Sequence, residues 1–244
     1  MDEESSEAVV GTWEALEESK WSRVLRFSEA YFAPGLQASS DAVHGAVTSL
    51  LQRHKCVVVL DIGCGSGEAL AETLAWAREA GLGGRVRGIG VDVNDQISPS
   101  DDSMEFMKAD CTDPSFVVAM QKQIKPEEGV VAVSLGNTLG IFQPGERAAI
   151  VAAMASVGQQ VVVAFAHAEA FAEALQEYYP VVAPDLGIDG EWEVTGTTLR
   201  AANYHTHWTG VDEATALFEG AGMRVARLQE TIRLLVVVGV PKCA

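Results

Sequence analysis

Three carboxylates and a run of glycines carry the spacing that could do chemistry. Val57-Val58-Val59-Leu60 is an uninterrupted apolar run, the pattern of a strand buried on both faces of a parallel sheet. Asp61 follows it, then Gly63-Cys64-Gly65-Ser66-Gly67, and a stretch rich in Ala, Leu and Glu opens at Glu68. A strand, a glycine turn and a helix start together make a cradle for a nucleotide-type ligand. Glycines let backbone approach the ligand closely, and the first turn of the helix offers free N–H groups. The spacing is G-x-G-x-G, and no Gly-Lys-Ser/Thr follows. It is therefore neither the dinucleotide fingerprint nor the phosphate loop. An acid ahead of the glycines repels a pyrophosphate and suits a cationic amine.

Two further acids end the next two apolar segments, Asp92 in Gly-Ile-Gly-Val-Asp92-Val93-Asn and Asp110 in Lys-Ala-Asp110-Cys111. A carboxylate at the first place can accept hydrogen bonds from two ribose hydroxyls. At the second it can accept from an exocyclic adenine amine, with the Cys111 N–H facing the ring. Any one such Asp serves equally as a turn or capping residue. Three in succession behind a glycine loop are harder to assign to turns. The fourth segment ends in Ser134-Leu135-Gly136-Asn137-Thr138-Leu139-Gly140.

This set closely resembles the binding motifs of class I S-adenosylmethionine (SAM) dependent methyltransferases, in motif detail over about residues 55–166. The resemblance implies that Gly63, Cys64, Gly65 and Gly67 form the loop under the amino-acid part of SAM, with Asp61 near its ammonium. It implies that Asp92 and Val93 hold the ribose, Asp110 and Cys111 the adenine, and that Ser134 and Gly136 border the reacting end. The Leu135–Gly140 run is similar to the Gly-Asn/Ser-Thr/Ser-x-Gly turn of methyltransferases acting on amino acids and other small molecules. It departs from the Asn/Asp-Pro-Pro-Tyr/Phe motif of those acting on DNA bases or glutamine side chains.

Catalytic candidates are Asn137, Tyr178, Tyr179 and His205. Asn137 can bind an amine through its side-chain oxygen or simply shape the turn. Tyr178 and Tyr179 can face a sulfonium by cation–π attraction or pack beneath a lid. His205 can act as a base, although alternation puts it on one face with His207, and His167 can also reach the site. The two histidines find no acid or Cys partner at metal-ligand spacing, so no metal is expected.

The elements that must position these residues follow from periodicity. From Cys56 the chain alternates strand and helix, which predicts an α/β doubly wound, mostly parallel seven-stranded sheet with an antiparallel last strand. Strands are expected at 56–61, 86–92, 104–109, 130–135 and 161–166, with closing strands at 223–228 and 232–240. Helices are expected near 67–81, 114–124, 144–157, 168–178 and 211–222, and another between strands two and three. Residues 1–54 are expected as an N-terminal helical lid or appendage, and 55–244 as the SAM-binding Rossmann-like domain. Within the lid, residues 1–6 are expected to be disordered. One helix spans 7–33 and ends at Pro34-Gly35, and a second runs from about Ser40 to Arg53. An insertion at about 168–209 follows strand five.

The chain has 244 residues and a net charge of −17, from 17 Lys+Arg against 34 Asp+Glu. That balance disfavours nucleic acid and anionic membrane surfaces. No apolar run approaches the ~20 residues of a membrane span. Cys56, Cys64, Cys111 and Cys243 form no C-x-x-C pair, and the acidic start is unlike a signal peptide, so reduced thiols and a cytoplasmic location are expected. Nothing in the composition opposes a homodimer.

The expected activity is methyl transfer from SAM to a small metabolite, such as an amine or an amino-acid derivative, leaving S-adenosylhomocysteine (SAH). The alternative needs no partner beyond SAM: cyclisation of SAM to azetidine-2-carboxylate and methylthioadenosine. A non-catalytic SAM-binding protein is the third reading.

Overall fold

The computed structural model describes residues 18–94, 103–188, 191–201 and 204–242. The first residues of the N-terminal helix, most of the helix expected between strands two and three, Asn203 and Cys243 lie outside the described residues.

A long helix, α1 (Glu18–Leu51), leads into β1 (Cys56–Ile62), α2 (Glu68–Glu79), β2 (Val86–Asp92) and β3 (Met104–Lys108). Next come α3 (Phe116–Gln123), β4 (Glu128–Ser134), α4 (Pro144–Val157) and β5 (Gln160–Ala166). The insertion holds α5 (Phe171–Glu177), α6 (Tyr179–Val182), β6 (Glu193–Thr195), β7 (Thr198–Ala201) and β8 (Tyr204–His207). The chain closes with α7 (Val211–Gly220), β9 (Met223–Glu230) and β10 (Leu234–Pro241).

The main sheet has seven strands in the order β3-β2-β1-β4-β5-β10-β9. β1 pairs in parallel with both β2 and β4, and β10 runs antiparallel between β5 and β9. The strand order reverses beside β1, so the loops after β1 and β4 diverge and leave a crevice at the carboxyl ends. Alternation within β1 fixes the layers. Val58, Leu60 and Ile62 pack on one face with Phe116, Ile150, Met154 and Phe218, while Val57 and Val59 pack on the other with Val43, Val47, Leu50, Leu70 and Leu74.

The N-terminal segment departs from expectation: α1 runs unbroken through Pro34-Gly35 rather than ending there. Proline removes one backbone donor, a local cost of about 3 kcal/mol in a helix interior. Packing on either side outweighs it. Tyr31 and Phe32 are buried against the insertion, and Ala38, Ala42, Val43, Ala46, Val47 and Leu50 against the sheet. Gly35 sits at the crossing, where a Cβ would come within 2.7 Å of both Leu234 Cβ and Thr231 Oγ1. The dipeptide is a close-approach point between helix and sheet, not a stop.

β6, β7 and β8 form a separate antiparallel sheet, as the Gly- and Thr-rich composition of the insertion suggests. Its Leu199, Tyr204 and Trp208 share a cluster with Val24, Tyr31 and Phe32 of α1 and with Phe171, Tyr178, Tyr179 and Val182. Two arginines tie this cluster together. Arg23 pairs with Asp185 at 2.6 Å, and Arg233 bonds Glu173 and the Tyr31 carbonyl while lying 3.8 Å over the Tyr31 ring.

Candidate functional site

The carboxyl ends of β1, β2, β3 and β4 meet in one cavity of about 440 Å³, covered by the first half of α1 and closed at one side by the insertion. Asp61, Gly63, Cys64, Gly65, Asp92, Val93, Asp110, Cys111, Gly136, Asn137, Tyr178 and Tyr179 all line it.

The glycine loop takes its shape from left-handed backbone. Gly63, Gly65 and Gly67 have φ of 70°, 54° and 78°. Gly63 and Cys64 donate to the Val91 carbonyl at 2.8 and 3.1 Å, which folds the loop over the end of β2. A Cβ at Gly63 would collide with the Thr138 side chain. Gly67 caps α2 and lies outside the cavity lining, so its part is to turn the chain into the helix.

The strand-end acids differ in environment. Asp61 is 2% exposed, and no group among the described residues donates to its carboxylate. Burial, and then the charge of Asp92, pushes its pKa up to about 7. Asp92 is held on both sides: Oδ2 accepts from Gly65 N–H at 2.9 Å and Oδ1 from Asn94 N–H at 3.0 Å. Burial raises its pKa, while bonds from the Asn94, Gly65 and Val93 backbone oppose the rise. Asp110 turns Oδ1 back onto Thr112, accepting from N–H at 2.8 Å and from Oγ1 at 2.7 Å. Burial raises both lining thiols, Cys111 to about 12, so neither is poised as a nucleophile.

The catalytic candidates separate. Tyr178 and Tyr179 join Phe32, Tyr204 and Trp208 in an aromatic wall. The Tyr178 hydroxyl lies 2.7 Å from Ser28 Oγ of α1, and the Tyr179 hydroxyl accepts from Trp208 Nε1 at 2.6 Å. Burial pushes the Tyr178 pKa up to about 12 and that of Tyr179 higher still, so both remain phenols.

Asn137, with φ 64°, lines the cavity but spends its side chain on the scaffold. Its Oδ1 accepts from Ala166 N–H at 2.9 Å, and Nδ2 donates toward Thr206 Oγ1 and the His207 carbonyl at 3.5 and 3.4 Å. It pins the turn after β4 to β5 and β8.

Two residues of the expected site lie outside the cavity lining. Ser134 is fully buried between strands, with Oγ donating to the Ile62 carbonyl at 3.0 Å, and does not reach the cavity. His205 faces away from the cavity toward the Ile141 carbonyl, 3.3 Å from Nδ1, and burial lowers its pKa to about 4. His167 and His207 also lie outside the lining, near Glu230 and Glu213 respectively.

Sequence reasoning missed a further acidic group. Glu29 of α1 meets Glu68 and Glu72 of α2 at the edge of the cavity. A hydrogen bond with Glu68, burial, and the charges of Glu68 and Glu72 together push the Glu29 pKa up to about 7. The helical spacing of Glu68 and Glu72 on one face was a visible signal. Nothing in sequence placed Glu29 opposite them.

The sheet order with its antiparallel last strand pair, and the acids ending β1 and β2 beside a glycine loop, define the fold of class I SAM-dependent methyltransferases. Solved structures agree. Magnesium protoporphyrin IX methyltransferase from Synechocystis PCC 6803, with bound SAH, is similar at TM-score 0.58 and 14% identity over 92% of this chain and 94% of that one. The 1,6-didemethyltoxoflavin-N1-methyltransferase of Burkholderia thailandensis, bound to 1,6-didemethyltoxoflavin and SAH, matches at TM-score 0.51 and 13% identity, covering 93% and 91% of the two chains. An O-methyltransferase family protein from Burkholderia thailandensis matches at TM-score 0.54 and 14% identity, covering 94% of this chain and 64% of its own. No protein-family model and no curated protein sequence matches the chain.

Proposed function

We propose that the cavity binds SAM and that the protein is a SAM-dependent methyltransferase acting on a small molecule. One observation carries this reading: Asp61, Asp92 and Asp110, at or just beyond the ends of three adjacent strands, line one cavity together with the glycine loop. The solved structures of the same fold point the same way, since two of those described contain SAH.

The residues present fit the cofactor. A buried carboxylate without a donor is costly unless a cation answers it, and Asp61 would take the ammonium. Asp92, oriented by two backbone donors, keeps a lone pair on each oxygen for ribose hydroxyls. Asp110 Oδ2 faces no protein donor among the described residues and suits the adenine amine, beside Cys111. SAM supplies an electrophilic methyl group on a sulfonium. The aromatic wall of Tyr178, Tyr179, Tyr204 and Trp208 would exclude water and attract the cationic end of the ligand. Positioning carries much of the rate in such a transfer, and Asn137 contributes by fixing the turn that closes the site.

The enclosing aromatic wall also favours a second reading, intramolecular closure of SAM. There the amine nitrogen forms a bond to the γ-carbon, the γ-carbon–sulfur bond breaks with its electron pair going to sulfur, and the amine proton passes to a base such as Asp61. Incubating the enzyme with SAM, alone and with panels of small nucleophiles, separates the readings by mass spectrometry. SAH formed only with an acceptor is the expected result. Methylthioadenosine in stoichiometric yield from SAM alone would establish closure instead. Tight SAH binding with neither product would leave a binding protein.

A further inference from the structure

Resting on the methyl-transfer reading, we propose that the acceptor is uncharged and attacks with a resting lone pair, on a pyridine-type nitrogen or a thioether sulfur. It lies against the aromatic wall, and no proton leaves it in the reaction. Among the described residues no Lys, Arg or His lines the cavity, so an anionic acceptor finds no counter-charge. None of the lining carboxylates belongs to the wall. Asp61, Asp92 and Asp110 are assigned to the cofactor, and Glu29 meets Glu68 and Glu72 between α1 and α2.

Along the wall the polar side chains are spent on one another. Ser28 Oγ donates to the Val24 carbonyl at 2.7 Å, so the Tyr178 hydroxyl is the donor in their 2.7 Å bond. Tyr179 Oη accepts from Trp208 Nε1 at 2.6 Å and donates to Thr206 Oγ1 at 3.4 Å. Burial keeps both phenols protonated, and His205 faces the Ile141 carbonyl outside the cavity. None of these groups can take a proton from an attacking hydroxyl, so the nucleophile must arrive with its lone pair free. Such an attack also balances without a base. The lone pair forms a bond to the methyl carbon, the carbon–sulfur bond breaks, and its electron pair goes to sulfur. One sulfonium is lost and one cationic product gained. Rings that attract the first charge by cation–π interaction serve the second equally.

Three bicyclic probes of similar size test this on the full chain: isoquinoline, 2-naphthol and 2-naphthoate. With SAH bound, calorimetry should show isoquinoline and 2-naphthol binding about tenfold or more tighter than 2-naphthoate. With SAM saturating, isoquinoline should yield N-methylisoquinolinium and SAH at a rate that does not vary from about pH 7 to about pH 9. At about pH 7, 2-naphthol should be methylated about a hundredfold more slowly, although it binds. Phe32 packs on Tyr178 and Trp208 with ring centroids at 5.6 and 5.8 Å. Phe32→Leu should lower isoquinoline affinity about three- to tenfold and leave SAH affinity unchanged, which also verifies the fold. Binding of 2-naphthoate as tightly as isoquinoline, or no binding by any probe, overturns the uncharged acceptor. Methylation of 2-naphthol as fast as isoquinoline, a rate that rises with pH, or isoquinoline bound but unmethylated overturns the lone-pair attack. Isoquinoline affinity unaltered in Phe32→Leu overturns the placement against the wall. Failure of SAH itself to bind is read in a separate titration and overturns the cofactor reading beneath.

Discussion

Asp61 and Asp92 end neighbouring strands, yet the protein prepares them oppositely. Asp92 is oriented by backbone donors that oppose the effect of burial on its charge, whereas Asp61 is buried with none among the described residues. If Asp92 grips the ribose, Asp92→Ala should weaken SAH binding by about 1–3 kcal/mol, the worth of hydrogen bonds to a charged group. Unchanged affinity by calorimetry would remove the assignment. Asp61 makes a prediction in pH. Its carboxyl titrates at 3.8 when unfolded and about 7 when folded, so the native state holds the extra proton between those values. Stability therefore falls as pH rises from about 4 and the full loss, on the order of 4 kcal/mol, is reached above about pH 7. An ammonium beside Asp61 offsets that loss, so the rise in melting temperature caused by SAH should be larger at pH 8 than at pH 5.5. In Asp61→Asn the pH dependence of that rise should flatten. Equal slopes in the two proteins would show that the ligand does not meet this carboxylate.

At the scale of elements, the parallel strands were legible because burial on both faces demands continuous apolar runs, and Val57–Leu60, Val130–Val133 and Val161–Ala166 supply them. Asp61, closing the first of these runs, lies at the carboxyl edge and lines the cavity, whereas Ser134, closing the second, stays buried between strands. What failed was α1, where Pro34-Gly35 reads locally as a terminator and only the contact with β10 reveals otherwise. For Ser134, His205 and Asn137 the sequence left the role open, since residue type cannot say whether a polar group is spent on scaffold or faces ligand. Glu29 was invisible because its partners lie on a different helix. Gly35→Ala tests the crossing. Its Cβ would press on Leu234 and Thr231, so a net destabilisation of about 1–3 kcal/mol in urea unfolding is expected despite better helix propensity. A gain in stability would mean the helix stands clear of the sheet. Asn137→Ala should cost about 2–4 kcal/mol, from the orphaned Ala166 N–H and the left-handed backbone. Asn137→Gly should recover about 1 kcal/mol of it by relieving the backbone alone. Unaltered unfolding in both would mean that the side chain serves ligand and not scaffold.

For the whole molecule, charge and architecture act together. Among the described residues no helix is long and apolar enough to cross a membrane, and the net charge of −17 surrounds a cavity that is itself acidic. The field of the whole chain and the local lining thus have the same sign, so a cationic ligand is attracted both at distance and on arrival. SAM and SAH share a skeleton but differ by one positive charge, which makes them a matched pair for separating the two contributions. Stopped-flow association of SAM should slow about three- to tenfold as salt rises from about 0.02 M to about 0.3 M, because the screening length then shrinks well below the protein radius. SAH, with no net charge, should associate at nearly the same rate throughout. Dissociation should respond less than association, since the contacts made after docking are buried and weakly screened. Parallel salt dependence for both ligands would place the effect in α1 or the rest of the fold instead of the field, and would leave the acidity of this protein without a part in capturing its ligand.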